Sequence, residues 1–231
     1  MGYDIDCQII LNKEGEVMSR VFFLDFDGTV TKEDVVASMV VKFSRNDGWK
    51  ELNRRWQRGE LSTKDCAEQT FALFDATLDD LYPFLNTIEL DDYFVDFVAL
   101  CKANNYPLYI ISDGYRLLID YILQRHGLTD LPVFANKMLC EADRFSIECT
   151  HFNPRCGKCG TCKKVLYKRL KKQGHQNIYV GDSYSDMCVC HYADVVFAKD
   201  ALLKYCRQNK VPAIPYTTFK DLIDWVNKES F

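Results

Sequence analysis

The stretch Val21-Phe22-Phe23-Leu24-Asp25-Phe26-Asp27-Gly28-Thr29-Val30 constrains this chain more than any other. Four apolar residues, two of them aromatic, run without interruption into a pair of carboxylates. A short continuous apolar run of this kind predicts a strand buried on both faces, as in a parallel sheet covered by helices. Side chains two apart on an extended backbone share a face, so Asp25 and Asp27 point the same way. Gly28 lets the chain turn just past them, and Thr29 adds a hydroxyl and an amide. Open α/β sheets bind ligands outside the carboxyl ends of their strands, which is where this pair falls. Unpaired carboxylates are costly there unless they hold a cation or take part in chemistry.

Beyond this strand the pattern turns helical. Thr31-Lys32-Glu33-Asp34 has the form of a capping box, with Thr31 as N-cap, and opens a helix to about residue 43. Further helices are predicted over 49–59, from Ser62, from Thr77, and over 93–103, where Phe94, Phe97, Val98 and Cys101 fall at helical spacing. A crossover between parallel strands needs only about a dozen residues and one helix. Residues 31–104 therefore predict an inserted helical cap over the end of the first strand. The next buried strand, Pro107 to Ser112, stops at Ser112-Asp113-Gly114. A helix over 115–126 follows, then two short β-like runs around Glu141-Ala142-Asp143, a hairpin. A glycine- and cysteine-rich loop leads to a basic helix over 162–172. The third buried strand, Asn177 to Val180, runs into Gly181-Asp182-Ser183-Tyr184-Ser185-Asp186. Strand and helix alternate to the end. The expected fold is α/β, a Rossmann-like parallel sheet with helices on both faces. Its core comprises 18–30 and 105–231. Residues 1–17 are an extension, with Met18 as an alternative start.

Composition narrows the function classes. The 231 residues carry a net charge of −4 and 48% hydrophobic content, so nothing favours nucleic acid as a partner. No apolar run approaches the roughly 18 residues of a membrane span, and the N-terminus lacks a basic-then-apolar signal. Eleven cysteines are an odd number, which excludes a full set of internal disulfides. Together these point to a reducing, cytoplasmic location.

Three strand ends converge on one sheet edge: Asp25 with Asp27, then Ser112, then Asp182 with Asp186. Lys163 opens the helix between the last two. Several carboxylates, a hydroxyl and an ammonium around one crevice suit Mg²⁺ and a phosphate. Asp25 could attack phosphorus to give an aspartyl-phosphate. Asp27 could protonate the leaving alcohol and then activate water. Ser112, Lys163 and the backbone amides after Asp27 would hold the phosphoryl oxygens.

The set Asp25-Phe26-Asp27-Gly28-Thr29, Ser112, Lys163 and Gly181-Asp182-Ser183-Tyr184-Ser185-Asp186 resembles the four motifs of the haloacid dehalogenase-like hydrolases. The resemblance implies Asp25 as nucleophile and Asp27 as acid/base, the latter also giving its backbone carbonyl to Mg²⁺. It implies Asp182 as a metal ligand and Asp186 as a residue that binds the metal or orients its water shell. Haloalkanoate dehalogenases lack the second aspartate, so the chain resembles the phosphatases of the superfamily. The inserted helices resemble the four-helix cap of the phosphoserine phosphatase-like subclass. Cys159-Gly160-Thr161-Cys162-Lys163 and Ala193-Asp194-Val195-Val196-Phe197-Ala198-Lys199 are similar to the group around the methylthiopentenyl-phosphate phosphatase of methionine salvage. Phosphocholine and phosphoethanolamine phosphatases stand nearby. The implied partner is a small phosphorylated metabolite, handled by a monomer or homodimer.

Substrate contacts are expected from Gly28, Thr29, Asp34, Asp113 and Gly114. Asp34 falls where phosphoserine phosphatases carry an amine-binding glutamate, and Asp113 replaces a glycine of their second motif. Both acids also have purely structural readings, as helix caps. A non-catalytic protein that binds a phosphorylated ligand on the same scaffold is the rival from another class. The CxxCxxC run of Cys156, Cys159 and Cys162, with Cys149 and His151 upstream, leaves three readings open. It could hold a structural Zn²⁺, act as a redox-sensitive loop whose nearby lysines lower the thiol pKa, or simply pack beside the site.

Overall fold

The computed structural model describes residues 19–228, so the extension over 1–17 and the alternative start at Met18 lie outside the described residues. Among those residues, seven strands form one sheet in the order β4-β3-β2-β1-β5-β6-β7. They are β1 (Arg20–Leu24), β2 (Leu108–Tyr115), β3 (Val133–Glu141), β4 (Arg144–Glu148), β5 (Gln176–Gly181), β6 (Val195–Ala198) and β7 (Ile214–Pro215). Every pairing is parallel except β3 with β4. That pair is the expected hairpin. Ala142 and Asp143 turn it with φ of 46° and 60°, the left-handed pair that a tight two-residue hairpin turn requires.

β1 lies centrally and is buried along its whole length. Its period of two sends Phe22 and Leu24 to one face, and Val21 and Phe23 to the other. The first face is covered by α5 (Phe94–Ala103), α6 (Arg116–Arg125) and α9 (Phe219–Lys228). The second is covered by α7 (Lys163–Leu170) and α8 (Asp200–Asn209). Phe22 meets Phe97 edge-on at 5.0 Å, and Phe23 meets Tyr167 at 4.7 Å. Each such fully buried ring is worth about 1.5–3 kcal/mol of transfer free energy. The continuous apolar run is thus explained by two covered faces.

Between β1 and β2 lie α1 (Val35–Phe43), α2 (Gly48–Gln57), α3 (Thr63–Phe71) and α4 (Leu78–Leu85), followed by α5. α5 packs away from the other four, because Phe94 and Phe97 both rest on Phe219 at 5.0 Å. Ser62 caps α3 by accepting from the Asp65 amide at 3.1 Å, and Thr77 with Asp80 forms the expected capping box of α4. The start of α1 differs from expectation. Its N-cap is Asp34, whose side chain accepts from the Ala37 amide at 2.8 Å. The Thr31 hydroxyl instead donates to the Glu33 carbonyl at 2.7 Å and accepts from the Gly28 amide at 3.2 Å. The turn after β1 thus uses Thr31, and the helix starts three residues later. Among the described residues no helix is long and apolar enough to cross a membrane.

Candidate active site

The carboxyl ends of β1, β2 and β5 meet as their parallel order requires. Asp25 follows β1 directly, and its amide extends the ladder by donating to the Val180 carbonyl at 2.9 Å. Asp25 Oδ1 accepts from the Phe26 amide and from Lys163 Nζ, each at 2.7 Å. Lys163 is the first residue of α7, with Cys162 as N-cap. Its buried ammonium also donates to Ser185 Oγ and to Asp186 Oδ1, both at 2.7 Å. All three of its protons are therefore placed. Burial works to lower the Lys163 pKa, but Asp186 and Asp25 override it and hold the group well above its ordinary value.

Asp186 has 0% exposure. Its Oδ1 accepts from Lys163 and the Tyr179 hydroxyl, and its Oδ2 accepts from the amides of Asp182 and Ser183 at 3.0 Å each. A Cβ at Gly181 would collide with this carboxylate, which is why β5 must end on glycine. Asp182 is tied to β1 by the Thr29 hydroxyl, which donates to its Oδ1 at 2.8 Å. Gly28, at φ 74°, passes so close that a side chain there would strike Asp182.

Asp27 stands apart from this group. Its Oδ2 accepts from the Ser112 hydroxyl at 3.2 Å, while Ser112 Oγ accepts from the Gly114 amide at 2.9 Å. A Cβ at Gly114 would run into Asp27 Oδ2. Burial first, and Asp34 second, raise the Asp27 pKa to about 7. Burial and then Asp186 likewise raise Asp182 to about 7. Burial followed by Asp186 raises Asp25 well above the usual carboxylate range, against the pull of Lys163.

These floor residues open into a cavity of about 380 Å³. Asp25, Asp27, Ser112 and Asp182, from the strand ends, line it together with Val36 and Val40 of α1, Trp49 and Trp56 of α2 and Phe71 of α3. Carboxylate oxygens of Asp25, Asp182 and Asp186 lie within 4.8 Å of one another. Lys163 pairs with two of these carboxylates, Asp25 and Asp186, and burial first, with repulsion from Asp186 second, lifts Asp25 and Asp182. An all-oxygen donor set with excess negative charge fits Mg²⁺. The Asp27 carboxylate is outside this set.

The expected substrate contacts are placed unequally. Asp34, Asp113 and Gly114 line the cavity. The Gly28 amide is spent on the Glu33 carbonyl at 3.0 Å and the Thr29 amide on the Phe26 carbonyl at 3.2 Å. Asp34 spends an oxygen capping α1. Asp113 accepts from Thr63, Thr161 and Asn136, all of them protein groups.

Of the three readings left open for the cysteine loop, the zinc site is not supported. Among the described residues, Asp25, Asp182 and Asp186 are the only group of three or more ligating side chains that close on one point. Cys162 is buried, its sulfur 3.7 Å from the Asn153 amide nitrogen. Nor is the Cys159 thiol activated by its lysine neighbours, because burial and nearby Asp113 push it up to about 12. All ten described cysteines are free.

Several residues of the site carry no role read from the sequence. Tyr179, and Ser185 within the motif that ends at Asp186, orient Asp186 and Lys163, and Asn136 reaches in from β3. Asp200, on the cavity wall, holds φ of 47°, the kind of backbone strain that gathers at functional sites. Only the alternation of β5 could have flagged Tyr179, which stands two residues before Gly181.

Strand order, carboxylate pairs at the strand ends and a lysine at the start of α7 define a phosphate-handling α/β hydrolase. The family model described as haloacid dehalogenase-like hydrolase matches residues 22–191, and the chain belongs to that family. Among curated proteins it is 32% identical to a 2-hydroxy-3-keto-5-methylthiopentenyl-1-phosphate phosphatase of Geobacillus thermodenitrificans, over 90% of this chain and 96% of the relative. A Bacillus cereus protein of the same name is 32% identical over 89% and 94%. In structure the chain resembles a substrate-bound phosphoserine phosphatase, with a TM-score of 0.69 at 17% identity, over 91% of this chain and 99% of the other. The chain is a phosphatase.

Proposed function

We propose that the chain is a Mg²⁺-dependent phosphomonoesterase that works through an aspartyl-phosphate on Asp25. Its substrate is a small metabolite with an apolar tail, of the methylthiopentenyl phosphate type. The observation that carries this is the cavity, lined by carboxylates from the strand ends and by tryptophans, valines and a phenylalanine from α1–α3. The names of the two curated relatives support the same substrate.

The chemistry follows from the floor. Asp25 Oδ1 is held by Lys163 and the Phe26 amide, which leaves Oδ2 without a protein donor among the described residues. Oδ2 attacks phosphorus, and the bond from phosphorus to the substrate oxygen breaks. Asp27, protonated up to about pH 7, gives its proton to that oxygen. The resulting carboxylate then takes a proton from the water that attacks the aspartyl-phosphate, which frees phosphate and restores Asp25. Mg²⁺, held by Asp25, Asp182 and the Asp27 carbonyl, would supply positive charge against the phosphoryl oxygens. Asp186 and Lys163 keep those ligands in place. The helices α1–α4 form the cap and exclude water during the reaction. Free cysteines throughout the described chain agree with a reducing, cytoplasmic setting.

A second reading rests on Trp49, Trp56 and Asp34, which line the same cavity. Two aromatic faces and an acid also suit an alkylammonium group, as in phosphocholine. Phosphate release from methylthiopentenyl phosphate, phosphocholine, phosphoethanolamine and phosphoserine, with Mg²⁺ and with EDTA, decides between them. Preference for the methylthio compound supports the first reading. Preference for phosphocholine replaces it with the second, and no Mg²⁺-dependent release from any member sinks both.

A further inference from the structure

Asp113 follows Ser112 directly on the cavity wall, yet its oxygens turn to three different parts of the chain. Oδ2 accepts from the Thr63 hydroxyl at 2.7 Å. Oδ1 accepts from the Thr161 amide at 2.8 Å and from Asn136 Nδ2 at 3.1 Å. Thr63 opens α3 of the cap. Thr161 stands two residues before Lys163. Asn136, fully buried on β3, also donates to the Asp113 carbonyl at 2.7 Å and accepts from the Thr161 hydroxyl at 3.1 Å.

The direction of these bonds is forced. Trp56 Nε1 can only donate, and it gives its proton to Thr63 Oγ1 at 3.1 Å. The single proton of Thr63 must then go to Asp113 Oδ2, which serves as its acceptor. The Thr63 amide adds a further tie by donating to the Lys158 carbonyl of the cysteine loop at 2.7 Å. That loop is seated tightly, since a Cβ at Gly160 would collide with Asn136.

What the chain of bonds holds is the roof. α2 buries none of its own residues, so its place over the cavity depends on α3 and on Trp56. The far end of α3 is fixed by rings, Phe71 lying 5.4 Å from Tyr115 and 5.9 Å from Phe145. Its near end is fixed through Thr63.

We propose that Asp113 is a positioning residue, a latch whose Oδ2 pins the α2–α3 roof over the cavity and whose Oδ1 anchors the loop that delivers Lys163. The cysteine loop is the strap of this latch rather than a metal site. The two arms predict separable effects. Losing the Thr63 arm loosens the roof and weakens binding, while losing Asp113 altogether also displaces α7 and slows chemistry.

The test compares Thr63→Val, Thr63→Ser and Asp113→Ala with the wild type. It measures KM and kcat on p-nitrophenyl phosphate with Mg²⁺, acrylamide quenching of tryptophan emission, and thermal midpoint. Thr63→Val should raise KM roughly tenfold, equivalent to about 1.4 kcal/mol, with kcat changed less than about twofold and quenching increased. Thr63→Ser should restore both readouts. Asp113→Ala should raise KM and lower kcat together. A Thr63→Val enzyme with wild-type KM and quenching overturns the latch. So does a loss that serine fails to restore, or a fall in kcat and midpoint with KM unmoved, the mark of a merely structural contact. If the wild type releases no p-nitrophenol, the catalytic proposal fails, and quenching still decides the latch.

Discussion

The floor and the roof of the cavity are built by opposite means. On the floor, Lys163 and Asp186 are almost wholly buried and every polar atom of both has a partner. The positions are over-determined by strand register and by glycines that leave no room for a Cβ. The roof is half-exposed: α2 has no buried residue, and Trp49 and Trp56 cover the cavity from its surface. A floor of this kind fixes reacting atoms, which the chemistry requires of any phosphomonoester. A roof of this kind can be exchanged or loosened without touching those atoms, and the proposed function assigns selection of the leaving group to it.

The largest break is expected at Asp25, the proposed nucleophile. Asp25→Asn should lower phosphate release by about 10⁴-fold or more, the scale on which covalent catalysts lose their nucleophile. A single-turnover assay in which the variant keeps more than a hundredth of wild-type rate would remove Asp25 from that role.

Next is the buried ion group. Lys163→Met leaves Asp25 and Asp186 facing each other without their shared cation, and should destabilise the protein by about 3–5 kcal/mol. Urea unfolding measures it, and a loss below about 1 kcal/mol would mean that the floor is not held by this charge.

Titration of the metal-free protein gives a smaller effect of the same origin. Asp27 and Asp182 carry folded-state pKa values of about 7, against about 4 for an unfolded aspartate. The folded chain therefore binds more protons between those values. The stability these groups contribute is complete below about pH 4 and is lost as pH rises through about 7. The melting temperature in EDTA should fall over that window, and Mg²⁺ should flatten the fall. Parallel curves with and without Mg²⁺ would separate the carboxylate cluster from metal binding.

The roof should yield least. Trp49→Ala removes one apolar wall of the cavity, and on the proposed function should raise KM for methylthiopentenyl phosphate roughly tenfold with kcat nearly kept. An equal fall in kcat would place Trp49 with the floor.

Much of the floor was legible in the sequence because its parts are contiguous. Val21 to Leu24 announces a strand covered on both faces, and Asp25 with Asp27 follows it directly. The same holds for Ser112 near the end of β2 and Asp182 after β5. Parallel strands in a single sheet bring such ends together without further information. The capping signals of α3 and α4 were equally local and reliable. The cap of α1 was misassigned, since Thr31 and Asp34 both fit the pattern and only the turn after β1 decides between them.

Tertiary structure decided whatever depends on partners far apart in the chain. Asp113 and Asp34 face the cavity, but Thr63, Thr161 and Asn136 take up both oxygens of Asp113 and the start of α1 takes one of Asp34, and no spacing rule reveals an acceptor already engaged. The three cysteines of the loop have the spacing of metal ligands, yet the chain turns Cys162 inward as a helix cap, and their sulfurs do not converge. Tyr179 becomes a partner of Asp186 only because β5 ends two residues after it and the following turn brings Asp186, seven residues on, back to its hydroxyl. Local sequence fixes which chemistry is present and at which strand ends. The directions of hydrogen bonds across the fold fix which of those groups remain free to perform it.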